Sequence, residues 1–150
     1  MKAALAFVAL ATPQAAKVLQ AFRKDAGWTG KTEAAMADAL QPGSRVQWVT
    51  VRAGQKTVAL ARMELAPPQF CFVSDLIVLS GWRGRGVGEW FMRRIERHCL
   101  EQGIARVVLQ ALAPSRGFYE KLHFVDDPRA AGFLKKELNP LQRRVGIPLR

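Results

Sequence analysis

Six consecutive residues, Arg83-Gly84-Arg85-Gly86-Val87-Gly88, have the composition of an anion cradle. Glycines at alternate positions let the backbone approach a ligand closely, and their amides can turn the same way as a nest. The segment lies between an apolar run, 70–79, and an amphipathic stretch that begins near Val87. A helix starting there adds unpaired N–H groups and the positive end of its dipole, and Arg83 and Arg85 add charge. This combination suits recognition of a diphosphate. Spacing excludes two other phosphate loops. A dinucleotide fingerprint needs GxGxxG, but Glu89 stands in its last place and the segment is in mid-chain rather than in a first βαβ unit. Gly30-Lys31-Thr32 mimics the end of a Walker A loop, yet Asp25 occupies the place of the first glycine and a helical stretch precedes it. Taken alone, RGRGVG is equally compatible with a glycine-rich turn carrying solvated arginines.

The elements that must position this loop follow from apolar spacing. Residues 4–10 read as a strand. Residues 13–26 read as a helix, with Pro13 in its first turn and Ala15, Val18, Leu19, Phe22 and Ala26 on one face. Residues 32–40 read as a second short helix, capped by Thr32 and stopped by Pro42-Gly43. Residues 44–53 alternate apolar and polar, Gly54-Gln55 turns the chain, and 56–64 completes a hairpin. The run 70–79 is nearly all apolar, which predicts a central strand buried on both faces. A helix follows over 87–101, with Val87, Trp90, Phe91, Ile95 and Cys99 inward, Arg93, Arg94 and Arg97 outward, and Gly103 as its terminator. Strand 105–111, helix 115–122 and strand 133–138 complete an α/β domain around a mixed sheet.

Composition sets outer limits. A chain of 150 residues reads as one domain able to bury its own core, with 139–150 as a loosely ordered basic tail. Cys71, Cys99, His98 and His123 lack metal-ligand spacing, so no metal site is expected, and a reducing cytoplasmic setting fits. Residues 3–11 resemble a short secretory h-region, but a single lysine precedes them and a helix follows directly, so the strand reading is preferred. No stretch approaches the roughly 20 apolar residues of a membrane span. The net charge of +11 attracts anions without choosing among nucleic acid, membrane surface and polyphosphate.

Context turns the glycine-rich loop into part of a larger pattern. Residues 75–88 read DLIVLSGWRGRGVG, which resembles the D-L-x-V-x-P-x-x-R-G-x-G-x-G motif of GNAT-superfamily N-acetyltransferases, with Ser80 in place of the usual proline. Phe118-Tyr119-Glu120-Lys121-Leu122-His123-Phe124 is similar to the family's F-Y-E-K-x-G-F, with His123 in place of glycine. The resemblance covers residues 70–125 well and the earlier elements loosely. It implies a mostly antiparallel mixed sheet with one splayed parallel strand pair, flanked by helices. It further implies acetyl-CoA as cofactor, held along Leu76, Ile77 and Val78 and at Arg83, Gly84, Arg85, Gly86, Val87 and Gly88. Transfer to a primary amine, small or protein-borne, is then expected by direct attack without a covalent enzyme intermediate, and a homodimer is admitted.

Two proton tasks follow from the resemblance. A thiol of pKa roughly 8.5 leaves readily, and a tyrosine of pKa about 10 can protonate it; Tyr119, the chain's one tyrosine, stands at the family's acid position. Asp75 is the one carboxylate inside the apolar strand and could take the amine's proton directly or through water. A structural aspartate bonded to nearby backbone is the competing reading, because a bulge could change the face it uses. Glu64 is a second candidate base. Leu112 stands where the family often carries an asparagine, and Glu89 puts a negative charge after the loop. These departures leave open a non-catalytic acyl-CoA-binding module. A basic interaction module using Arg93, Arg94, Arg97, Lys135, Lys136, Arg143 and Arg144 is the reading from another class; nucleic acid is not the expected partner.

Overall fold

The computed structural model describes residues 4–28 and 35–138. Seven strands form one sheet in the order β1-β2-β3-β4-β5-β7-β6. They are β1 (Leu5–Leu10), β2 (Arg45–Ala53), β3 (Lys56–Ala66), β4 (Phe70–Val78), β5 (Arg106–Gln110), β6 (Val125–Asp126) and β7 (Phe133–Glu137). Every neighbouring pair is antiparallel except β4 and β5, which run parallel. The helices are α1 (Thr12–Asp25), α2 (Val87–Glu101) and α3 (Ala113–Lys121), with a 3₁₀ turn at Ser80–Trp82. The mixed, mostly antiparallel sheet and its single parallel pair match the expected fold class; the two-residue β6 is an element the apolar spacing did not announce.

The sheet separates two cores. On one face α2 buries Val87, Phe91, Met92, Ile95 and Cys99 against Val73, Val107, Leu109 and Leu134. Each fully buried large side chain there contributes about 1.5–3 kcal/mol relative to exposure. On the other face α1 buries Ala15, Leu19 and Phe22 against Trp48, Leu60 and Ile77. Helix α2 ends as its sequence predicts. Gly103 is left-handed at φ 74°, its N–H reaches the Leu100 carbonyl, and the Ile104 N–H reaches that of Cys99, the pairing that closes a helix through a left-handed residue.

Two expectations need correction. The helix read over 32–40 does not reach Leu40. Residues 29–34, and with them the Gly30-Lys31-Thr32 segment, lie outside the described residues; helical structure is at Ala35 and gone beyond Met36. The reason is competition for the backbone. The carbonyls of Ala37 and Asp38 accept from Arg62, and the N–H groups of Leu40 and Gln41 donate to Glu64, so these groups are lost to a helical ladder. Strand β4 is also not buried on both faces. Cys71, Val73 and Ile77 are buried, but Phe70, Phe72, Leu76 and Val78 are half-buried, because cavities lie against them.

Candidate active site

The glycine-rich loop is the entrance to α2. Gly84 and Gly86 have φ of 73° and 82°, conformations that other L-residues adopt only with strain. Gly86 is the N-cap of α2 and supplies no side-chain acceptor, so the first-turn N–H groups of Val87, Gly88 and Glu89 lack partners within the helix. Gly88 serves packing instead: a Cβ there would lie 3.2 Å from the Phe118 ring. The loop is anchored from behind. The Ser80 N–H and hydroxyl both donate to Asp25 at 2.9 Å, a role the usual proline could not fill with its N–H. These two bonds, aided by the Arg83 charge, hold the Asp25 carboxyl below its ordinary pKa. Arg83 donates through Nε to the Val78 carbonyl at 3.0 Å. Arg85 lies over the Trp82 ring at 4.9 Å.

A cleft of about 560 Å³ opens beside this loop, lined among others by Leu76, Val78, Arg83, Gly86, Phe118 and Tyr119. A second lobe of about 460 Å³ shares Leu76, Val78, Arg83 and Ser115 with it and continues to Trp28 and Leu112. The cleft exists because β4 and β5 pair only at Cys71–Val107, Phe72–Val108 and Val73–Leu109, then part. The side chains of Leu76 and Val78 face this cleft; that of Ile77 belongs to the α1 core at the edge of the second lobe, and Val87, in the first turn of α2, lines the cleft while its bulk is buried in the core.

Tyr119 is set at the floor of the cleft by the end of α3. Its ring packs edge-on against Phe118 at 5.0 Å and Phe124 at 5.7 Å. The Phe124 N–H donates to the Tyr119 carbonyl and the His123 N–H to that of Glu120, with His123 left-handed at φ 74°. The same helix-closing motif as at Gly103 therefore fixes Tyr119, and His123 occupies the position where glycine is cheapest, at a cost of about 1–2 kcal/mol. Burial pushes the Tyr119 hydroxyl up to about 12.

Asp75 sits on a bulge. Its φ is 52°, and the β3–β4 register shifts as Arg62 faces Ser74 and Leu60 faces Ile77. One extra residue in β4 reverses which face the following side chains use. Cys71 and Val73 share the α2 face with Leu76 and Val78, while Asp75 turns to the other face. There its Oδ1 accepts from Arg23 Nη1 of α1 at 2.7 Å, and the Arg23 guanidinium lies 5.5 Å from the Trp28 ring. No sequence motif pointed to Arg23; its place in the last turn of the apolar face of α1 was the only signal.

Glu64 is fully engaged. Oε2 accepts from the N–H groups of Leu40 and Gln41 and from the Ser44 hydroxyl, and Oε1 lies 3.5 Å from Arg62. Burial opposes its ionisation, but Ser44, the two N–H groups and Arg62 together hold the carboxyl below its ordinary range. It lies apart from the cleft, beside a separate cavity under Leu40 and Gln41. Of the basic residues, Arg93 pairs with Glu89, Arg94 stacks on Trp90 and Phe7, Lys135 pairs with Glu137 and Lys136 with Glu96. Arg143 and Arg144 lie outside the described residues. Among the described residues no cluster of metal-ligating side chains occurs, and no helix is long and apolar enough to cross a membrane.

Left-handed glycines, an uncapped helix start, two arginines and an elongated cleft running to a strand opening fit a long diphosphate-bearing thioester. Comparison with known proteins agrees. The model of the acetyltransferase (GNAT) family matches residues 15–124. A putative GNAT-family acetyltransferase from Desulfovibrio desulfuricans superposes with a TM-score of 0.71 at 16% identity, covering 90% of this chain and 99% of that one. The ribosomal-protein-S18-alanine N-acetyltransferase of Escherichia coli gives 0.71 at 12% identity, over 90% and 94%. Glucosamine 6-phosphate N-acetyltransferase 1 of Oryza sativa subsp. japonica is 37% identical over 54 residues, 36% of this chain and 33% of that protein, so the match spans about a third of the relative. The chain belongs to the GNAT acetyltransferase family.

Proposed function

We propose that this protein transfers the acetyl group of acetyl-CoA to a primary amine by direct attack at the β4–β5 opening. The observation that carries the reading is the continuity of one cleft from the uncapped start of α2 to Tyr119. Arg83, Gly84, Arg85, Gly86, Val87 and Gly88 hold the pyrophosphate, through backbone N–H groups and charge. The backbone of Leu76, Ile77 and Val78, left without β5 as a partner, holds the pantetheine arm. An amide there polarises the thioester carbonyl, as a preorganised dipole does. Acetyl-CoA supplies the activated thioester.

The proton transfers fall to two side chains on opposite faces of the opening. Tyr119 Oη, still protonated far above neutral pH, gives its proton to the departing sulfur. Asp75 accepts the amine's proton, directly or through water, at Oδ2; Oδ1 is held by Arg23. Isothermal calorimetry with acetyl-CoA, followed by thiol release with a panel of primary amines, tests the reading. Binding and amine-dependent release are expected in the wild type. Gly86→Val should lose at least about 100-fold in affinity, since a β-branched residue is an outlier at φ 82°. Unchanged affinity in Gly86→Val would show that the cofactor lies elsewhere.

A further inference from the structure

Among the described residues, the second face of the sheet is only half covered. Helix α1 packs over Trp48, Leu60 and Ile77, and the segment 37–44 is tied down by Arg62 and Glu64. Beyond that, among the described residues, no helix crosses β4, β5 and β7 on this face. What remains is a cavity of about 540 Å³ whose apolar lining is Leu40, Phe70, Phe72, Val108, Ala130 and Phe133. The Phe72 and Phe133 rings lie 6.1 Å apart at 38°. Phe70, Phe72, Val108 and Phe133 are all half-buried, so large apolar surface faces water where a core would be expected.

Three of the five polar side chains that line this cavity are already bonded, and among the described residues those of Gln41 and Arg129 are not. Glu64 accepts from Leu40, Gln41 and Ser44, Arg106 donates to Glu137 at 2.9 Å, and Asp127 accepts from the Arg129 N–H at 2.9 Å. A site for a hydroxyl-rich acceptor needs donors and acceptors that lack partners until the ligand arrives. This wall sets six apolar residues against only those two side chains.

Its position ties it to the reaction. Phe72 and Val108 form the pair just before the last one that joins β4 to β5. The opening at Ser74 is two residues farther along β4, about 6.6 Å at 3.3 Å per residue. A ring resting on Phe72 can thus place an amine at the opening through a two-carbon spacer, on the face Asp75 also uses.

We infer that this cavity is the acceptor site and that the acceptor is a primary amine carried on an apolar body, aryl or branched alkyl, rather than a sugar phosphate or another hydroxyl-rich amine. The inference rests on the acetyl-transfer reading above. The match to the glucosamine 6-phosphate enzyme, which spans only 36% of this chain, does not bear against it.

Steady-state kcat/KM with acetyl-CoA is compared for 2-phenylethylamine, ethanolamine and glucosamine 6-phosphate. 2-Phenylethylamine should exceed ethanolamine by about tenfold to a hundredfold, the factor that burying one side chain of apolar surface corresponds to. The ratio should fall toward one in Phe72→Ala and in Phe133→Ala, the second guarding against a folding failure in the first. Independently of turnover, saturation-transfer NMR on the coenzyme-A-loaded wild type should show magnetisation reaching the ring protons of 2-phenylethylamine, weakened in both variants. Preferential acetylation of ethanolamine or glucosamine 6-phosphate would overturn the inference while leaving the acetyltransferase reading intact. Absence of ring-proton transfer, or a preference that survives both substitutions, would overturn it too. Failure to bind acetyl-CoA at all would instead remove the reading on which it rests.

Discussion

The two faces of the β4–β5 opening are built by different means. On the α2 side the site is largely backbone: left-handed Gly84 and Gly86, unpartnered N–H groups at the start of α2 and the unpaired edge of β4 beyond Val73. On the α1 side it is made of side chains from separate strands, with Phe72 on β4, Val108 on β5 and Phe133 on β7 meeting only through the sheet register. A backbone cradle demands particular residues at fixed spacing and tolerates few alternatives. A side-chain wall can be repainted without disturbing the hydrogen-bond ladder that carries it. The first face is therefore suited to a constant ligand, and the second is where members of a family can differ.

The largest effect that would test this division is on the constant face. Tyr119→Phe removes the hydroxyl and keeps the ring contacts with Phe118 and Phe124. Acetyl-CoA affinity should stay within about twofold, while kcat falls about 10²-fold, the low end for a positioned acid, or roughly 2.7 kcal/mol. Because burial places the hydroxyl at about 12, the acid form persists through the range where an ordinary tyrosine would ionise near pH 10. The kcat profile of the wild type should show no alkaline fall assignable to Tyr119 below about pH 11. A Tyr119→Phe variant with wild-type kcat on a chemistry-limited acceptor would assign sulfur protonation to water.

A smaller effect belongs to the junction of the faces. Asp75→Asn leaves the bulge and part of the contact with Arg23 but no base. Below the pKa of the amine, kcat/KM should fall about 10- to 100-fold. The deficit should shrink as pH rises and the amine becomes neutral without help. A deficit independent of pH would make Asp75 a structural partner of Arg23 only, and the charge pair a brace between α1 and β4.

What could be read from the sequence follows the same division. The loop at 83–88, the Tyr119 segment and the terminator at Gly103 each lie in a contiguous stretch with one local geometric demand, and the structure forms each as a local unit. A bulge at Asp75 is compatible with the sequence, but the face Asp75 uses depends on how β3 pairs across it, which is not local information. Arg23 and Asp75 are 52 residues apart. The apolar run of β4 predicts a strand but not its half-burial, since apolar composition is the same whether a helix or a cavity lies against it. Likewise 37–40 carried a helical composition, and only the long-range demands of Arg62 and Glu64 on its backbone overrule it.

The smallest effect isolates the α1 face. Glu64 touches neither lobe of the cofactor cleft, but it pins Leu40 and Gln41, which roof the apolar cavity. In Glu64→Gln the side-chain oxygen can still accept, while the new NH₂ group faces donors and Arg62 loses its buried counter-charge. Stability in urea at pH 7 should drop by about 1–3 kcal/mol. The acceptor KM should rise severalfold with the acetyl-CoA KM unchanged, because the roof loosens and the cradle does not. The pH dependence fixes the cause. The Glu64 carboxyl is held below its ordinary value in the fold, so its contribution is present above the unfolded value of about 4.3 and is lost as pH falls through the lower folded one. The stability gap between wild type and Glu64→Gln should therefore be full at neutral pH and close in acid. A gap that persists at pH 2 would attribute the loss to packing rather than to charge, and a rise in acetyl-CoA KM would show that the two faces are mechanically coupled across the opening.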